Sequence, residues 1–515
     1  MLEKEAQVRL MIKTRHLRYI KSILQTAGGF DNYVQTVFLD ALATCFDPHT
    51  NYFPETAKEN FESSLSKDGY YFGFTLGENE KGETAITQLH PGGPAWKTGE
   101  LNQGDVLLQM KWEGKEAIDL VGADVREVSA LLNASNNAML DLTIKKTNGQ
   151  VKNVQLKKEK IKGVEEDVVK SFLLNGSKKI GYISLPAFYT EWENEGGSSC
   201  ANDVAKEIVK LRRENINGLI LDLRFNGGGS LMEAIQLAGI FIDEGPLCIV
   251  KTRDQKNVTL KDPNRGTIYD GPLLVLVNGQ SASASELLAA VLQDYNRAII
   301  AGSPTFGKAT SQDIFPLQMG TTVTVKERGY AKITIGKIYR VTGNATQQKG
   351  VIPDVSLPDI YESFAYREND YLTALLNDTV QKNQYYKPLK PLPVSTLAVK
   401  SSERIAKDNN FRQIDLIRKM FREQSADRSS ISLKWDDFEK RIIKENAGRG
   451  KITNEEINVT GYKADNHNFD KDRLNTDENF SMFNSRWIKK LDSDVYIEEA
   501  YKVLLDYISV MNIKN

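Results

Sequence analysis

Between about residues 161 and 357, apolar runs and amphipathic stretches follow one another as KIGYISL, NDVAKEIVKLRRE, GLILDLRF, SLMEAIQLAGIFI, PLLVLV, SELLAAVLQDY and AIIAG. Short β-prone runs bounded by turn residues read as strands, and the longer stretches between them carry helical spacing. This order restricts the segment to a layered α/β core whose strands are at least partly parallel.

The flanks differ in character. Residues 1–68 carry helical periodicity, with Leu17, Ile20, Ile23 and Leu24, then Val34, Val37, Phe38 and Leu42, up to a stop at DPHTNYFP. Residues 69–160 alternate as FGFTLG, ETAITQL, DVLLQM, LDLTIKK and KNVQLKK, interrupted by a helix-like piece from Ala123 to Leu132, which predicts a small β-rich module. From residue 358 to 515 the chain is charge-rich and helical again.

A length of 515 residues with 40% hydrophobic content suits about three domains. The formal net charge of −1 gives no footprint for nucleic acid or an anionic membrane. Cys45, Cys200 and Cys248 are scattered and odd in number, which argues against a disulfide framework or a thiolate metal cage. The opening MLEKEAQVRLMIKTRHLRY lacks a signal-peptide core and no run of 18 apolar residues occurs, so the chain as given reads as soluble. That reading is compatible with a trimmed form of an exported protein.

The stretch AGSPTFGKATSQ, residues 301–312, holds Gly302-x-x-x-x-Gly307-Lys308 and has two readings. One is a phosphate-cradling loop with GLILDL supplying a magnesium-binding Asp222. Against it, Ala309 replaces the hydroxyl residue that would bind the metal, Pro316 and β-branched residues stand where a helix should open, and the aspartate strand precedes the loop. The other reading makes Lys308 a neutral general base for a nearby serine.

Residues 271–296, GPLLVLVNGQSASASELLAAVLQDYN, read as a buried strand, a turn and a helix, with Ser281, Ser283 and Ser285 at the junction. A serine there meets the positive end of the helix dipole. Ser283-Ala284-Ser285-Glu286 is also a capping box, and taken alone the segment favours the cap. Histidine is scarce, at positions 16, 49, 90 and 467, and no H-E-x-x-H is present, so zinc proteolysis has no support. Two neighbouring parallel strands would bring Ser283 and Lys308 to one sheet edge, and Gln312 shares a face with Lys308 in extended chain. Gly227-Gly228-Gly229, after the strand GLILDLRF, is either a flexible turn or a set of open amides for an oxyanion.

Together SASASELLAAVLQDYNRAIIAGSPTFGKATSQ, GLILDLRFNGGG, FDPHTNYF and KIYRVTGNATQQKGVIPDV resemble the C-terminal processing peptidases, serine proteases with a Ser/Lys dyad, and within them the long tail-specific branch. The likeness covers about residues 38–358. It implies an α/β protease core with an inserted β-rich PDZ domain and helical N- and C-terminal regions, divided at 1–68, 69–160, 161–357 and 358–515. Carried over by residue, Ser283 is the nucleophile, Lys308 the base and Gln312 its orienting partner, with the amides of Gly229 and Ala284 as the oxyanion hole. The PDZ module would receive a substrate C-terminus on the amides of Phe72, Gly73 and Phe74, with Tyr71, Phe72 and Phe74 making an apolar environment. The implied partners are proteins or peptides with free apolar C-termini, with no cofactor, no metal ion, no nucleic acid and an unspecified adaptor, in the periplasm. Two other classes stay open: a catalytically idle PDZ scaffold and a nucleotide-binding enzyme.

Overall fold

The computed structural model describes residues 2–511 apart from 25–28, 55–56, 59–60, 63–67, 134–137, 163–167, 192–198, 254–255, 263, 318–328, 365, 427–431, 433, 450–458 and 475–477. The chain forms two compact units, residues 1–167 with 313–333 and residues 168–312 with 334–515. Among the described residues no helix is long and apolar enough to cross a membrane.

In the first unit, helices Leu2–Leu24 and Gly29–Thr44 precede the turn foreseen at DPHTNYFP. Asp47 closes that turn by accepting hydrogen bonds from the amides of His49, at 2.9 Å, and Thr50, at 3.1 Å. A six-stranded antiparallel sheet follows in the order Phe74–Glu78, Thr84–Leu89, Val106–Trp112, Leu140–Lys145 and Val151–Leu156, with Ile118–Asp119 beside the third strand. Leu140, Leu142 and Ile144 alternate inward, the period of two that made the strand legible in sequence. Helix Val125–Leu132 begins two residues later than its apolar pattern, because Asp124 accepts from the Glu127 amide at 2.9 Å and caps it. Buried Arg18 ties the first helix to this module, donating to Glu127 at 3.0 Å and to the Val121 carbonyl at 2.9 Å.

The second unit is built on a seven-stranded sheet. Lys179–Ser184, Gly218–Asp222, Leu273–Val277, Ile299–Gly302 and Val355–Ser356 are parallel throughout. Lys170–Gly176 and then Tyr462–Asp465 add antiparallel strands at the other edge. Every residue of Gly218–Asp222 and Leu273–Val277 is buried. Such strands are apolar without alternation because helices cover both faces. Helices Cys200–Arg213, Leu231–Gly239 and Ala284–Asp294 contribute to one core, and helix Val495–Val510 contributes Ile497, Ala500, Tyr501 and Leu504 to the other.

The sequence places a boundary at 358, and the chain beyond it continues within this second unit. It supplies a strand that the helical reading of this region did not contain, Tyr462–Asp465, paired with Lys170–Gly176. It also supplies Asp494, whose carboxylate caps helix Val495–Val510 through the Tyr496 and Ile497 amides. The same carboxylate holds Arg224 at 2.8 Å, while Arg224 also pairs with Asp222 at 2.7 Å. The C-terminal helix thereby grips the strand end from which the glycine loop departs.

Leaving the buried Arg224 with one partner fewer is costly. Asp494→Ala is expected to lower stability by about 3–5 kcal/mol, read from urea denaturation at neutral pH; a loss under about 1 kcal/mol, the scale of an exposed pair, would show that this grip contributes little.

Candidate active site

Strands Leu273–Val277 and Ile299–Gly302 are parallel neighbours, with Val277 opposite Gly302. Ser283 and Lys308 follow them in sequence, and both line one pocket with Leu287, Ala290, Val291 and Ile338. The juxtaposition inferred from strand order is thus present.

The three serines of SASAS have different environments. Ser281 and Ser285 are fully buried. Ser281 donates to the Leu223 carbonyl at 2.8 Å and Ser285 to the Asn226 carbonyl at 2.8 Å, so both hydroxyls fasten the turn to the glycine loop. Ser283 is half-buried. It stands at the N-cap, paired in a capping box with Glu286, which accepts from the Ser283 amide at 2.8 Å. Ser283 has φ 57°, a conformation costly for a residue with a side chain and one that recurs at functional sites.

Gly228 explains how the strained turn fits. A Cβ there would lie 2.8 Å from both Ser283 Cβ and the Ala282 carbonyl oxygen, so only glycine lets the two loops touch. The close approach that a nucleophile elbow obtains from its own flanking glycine comes here from a separate loop. Buried Asn226 fixes that loop, accepting from the Gly228 amide at 2.9 Å and donating to the Leu185 carbonyl at 2.9 Å. Phe188 bonds the Gly228 carbonyl and the Ser230 amide, on either side of Gly229. Ala284 opens the helix, where its amide has no intrahelical acceptor.

Lys308 is half-buried. Its Nζ donates to the Thr310 carbonyl at 2.9 Å and to Gln312 Oε1 at 2.8 Å. Gln312 is itself held, its Nε2 donating to Thr310 at 2.9 Å and to Thr334 at 3.0 Å. Gln347 accepts from the Ala309 amide at 2.8 Å and donates to buried Glu368 at 2.7 Å.

Glu286 is the residue whose reach the sequence hid. Fully buried, it accepts from the Ser283 amide at 2.8 Å, Thr305 Oγ1 at 2.6 Å, the Gly307 amide at 2.7 Å and the Lys308 amide at 2.9 Å. Burial pushes its pKa up to about 7, against the donors that favour the anion. The capping-box spacing locates it, but no local pattern reveals its second loop.

The remaining sequence candidates lie in the first unit. Gly73 has φ 81° and its carbonyl accepts from the His90 amide at 2.8 Å. The Phe72 ring is in the module core, 5.9 Å from Phe74 and 6.2 Å from Trp112. Phe74 and Tyr71 are half-buried, and Tyr71 pairs with Glu159. Strand Phe74–Glu78 ends the sheet order, with a partner on one side only among the described residues.

Above about pH 7, where Glu286 is ionised, Glu286→Gln is expected to reduce turnover about 10²-fold, because a neutral amide presents an N–H to a site furnished with donors. Folded Glu286 keeps its proton to about pH 7, whereas an ordinary glutamate loses it near 4.5. Its contribution to stability is therefore fully present below the lower value and lost as pH rises through about 7. Between pH 4 and 8 the native protein should lose on the order of 3 kcal/mol more than Glu286→Gln in urea denaturation. Parallel pH profiles would show that this carboxyl is not held protonated.

The profile of peptidase family S41 matches residues 179–357, and that of the C-terminal domain of tail specific protease matches residues 361–509. A tail-specific protease of Haemophilus influenzae is 33% identical over 469 residues, covering 90% of this chain and 65% of that protein. The chloroplastic carboxyl-terminal-processing peptidase 2 of Arabidopsis thaliana is 29% identical over 350 residues, covering 66% of this chain and 62% of that protein. The chain thus spans somewhat less than two thirds of the length of these relatives. The solved photosystem II D1 C-terminal processing protease is 22% identical, with a TM-score of 0.37 over 65% of this chain and 84% of that one. Residues 179–357 are thus similar to peptidase family S41, and residues 361–509 to the C-terminal domain of tail specific protease.

Proposed function

We propose that this protein is a serine endopeptidase in which Ser283 is the nucleophile and Lys308 the general base. The observation that carries this reading is that Ser283 and Lys308 line one pocket. Lys308 Nζ donates to the Thr310 carbonyl and to Gln312 Oε1, contacts that orient it, and as a neutral amine it would take the proton of Ser283. Attack of Ser283 Oγ on a peptide carbonyl carbon moves that proton to Nζ and makes a tetrahedral oxyanion. The amides of Gly229 and Ala284 stabilise that charge. Lys308 then gives the proton to the departing amine, the acyl-enzyme forms, and water regenerates Ser283 by the reverse relay. Gln312 and Thr310 hold the ammonium during the interval. The apolar wall of Leu287, Ala290, Val291 and Ile338 suits an uncharged side chain beside the scissile bond.

The β-rich module at 69–160 is assigned as a PDZ domain. Its end strand, Phe74–Glu78, is open to an added peptide strand, and Phe72, Gly73 and Phe74 lead into it. With Phe72 engaged in the core, half-buried Phe74 is the aromatic group available to an apolar terminal side chain. The substrates are unfolded or tail-exposed proteins with free apolar C-termini, and the compartment is the periplasm.

Ser283→Ala is expected to reduce proteolysis by about 10³-fold or more while lowering stability by no more than a lost cap, about 0.5–2 kcal/mol. Lys308→Arg is expected to be equally inactive, because guanidinium keeps its proton. Substantial turnover by either variant refutes the dyad. Inactivity of the native protein, with tail binding intact, would favour a scaffold.

A substrate with an apolar free C-terminus is expected to be cut faster than its amidated or Asp-ended version, because apolar surroundings disfavour an extra charge. Comparison of kcat/KM across those tails measures this. Equal values would remove tail recognition and leave the protease assignment intact.

A further inference from the structure

The second unit holds a cluster of ligand-type side chains that the reaction does not use. Helix Cys200–Arg213 contributes Glu207, the turn before helix Asn468–Leu474 contributes His467, and the first turn of that helix contributes Asp470. His467 is completely buried, yet neither ring nitrogen has a hydrogen-bond partner of good geometry. Its Nε2 points between two carboxylates, 3.1 Å from Asp470 Oδ2 and 3.5 Å from Glu207 Oε2. One ligand atom from each residue lies within 4.8 Å of the others. Ligands at zinc distances of about 2.0–2.2 Å in a tetrahedron are roughly 3.3–3.5 Å apart, close to both contacts of Nε2.

The surroundings hold these groups without blocking the centre. Lys210 Nζ is on the outer oxygens, 2.7 Å from Glu207 Oε1 and 3.4 Å from Asp470 Oδ1. Ser171, on the neighbouring strand, donates to Glu207 Oε2 at 2.5 Å. The Asn468 amide donates to Glu214 at 2.8 Å, so the turn is docked on the helix independently of the cluster.

We propose that Glu207, His467 and Asp470 form a binding site for a divalent transition-metal ion, zinc by its donor set, with a fourth position open to water. Imidazole with two carboxylates suits zinc, whereas magnesium and calcium prefer oxygen ligands in larger number. The site is structural: it pins the turn after strand Tyr462–Asp465 to helix Cys200–Arg213. Lys210 and Ser171 fix the carboxylates from outside, the arrangement that orients metal ligands.

The test uses the untagged full chain with Cys45→Ser as background, which removes an exposed thiol as a competing zinc ligand. The protein is stripped with chelator, equilibrated with zinc chloride or magnesium chloride, desalted, and its metal measured by plasma mass spectrometry alongside a thermal melt. About one zinc ion per chain should be retained, with a higher Tm, and magnesium should have no effect. Ser171→Ala should weaken zinc binding about 10-fold or more. His467→Gln and the milder Asp470→Asn should each abolish retention, with circular dichroism confirming that they fold. Failure to retain zinc, or equal retention by folded His467→Gln and Asp470→Asn, would overturn the proposal and leave a buried imidazolium paired with two carboxylates.

Discussion

The Glu286 carboxylate, buried at the first turn of helix Ala284–Asp294, joins two loops that sequence keeps apart. It accepts from the backbone of Ser283 on its own turn and from Thr305, Gly307 and Lys308 on the loop after the next strand. The helix N-terminus favours negative charge there, and desolvation opposes it. Four donors around one carboxylate make a rigid joint. Because Ser283 and Lys308 both bond to it through their amides, the separation of these two residues is set by this group and by the pairing of the strands beneath.

The glycine loop is attached to the same edge by a second set of contacts. Asn226, Ser281 and Ser285 connect it to the serine turn, and Gly228 provides the close approach. Arg224 carries the linkage outward to Asp494 and the C-terminal helix. Residues beyond 358 thereby support the strand end behind the site, and their own strand Tyr462–Asp465 extends the sheet at its far edge. A metal ion at Glu207, His467 and Asp470 would fasten that same added segment.

Much of this was legible in the residues. The parallel core could be read because fully buried strands leave unbroken apolar runs such as LLVLV and LIL. The meeting of Ser283 and Lys308 followed from strand order. What escaped detection was non-local. Glu286 presents itself as half of a capping box, and its bonds to Thr305, Gly307 and Lys308 depend on a crossover that no local pattern encodes. Tyr462–Asp465 is short and half polar, with Tyr462 and Ala464 alone buried, so it lacks the apolar weight that marks a strand. The packing of the Phe72 ring near Trp112 in the module core likewise joins residues that sequence keeps apart.

In the proposed mechanism Ser283 reacts because Lys308 takes its proton. The most direct measurement is covalent labelling by a serine-directed sulfonyl fluoride, with the modified residue located by peptide mass spectrometry in the native protein and in a folded Lys308→Met variant. Modification is expected at Ser283 and not at Ser281 or Ser285, with a labelling rate about 10²-fold lower in the variant. Equal labelling of the variant, or modification at Ser281 or Ser285 in place of Ser283, would contradict it.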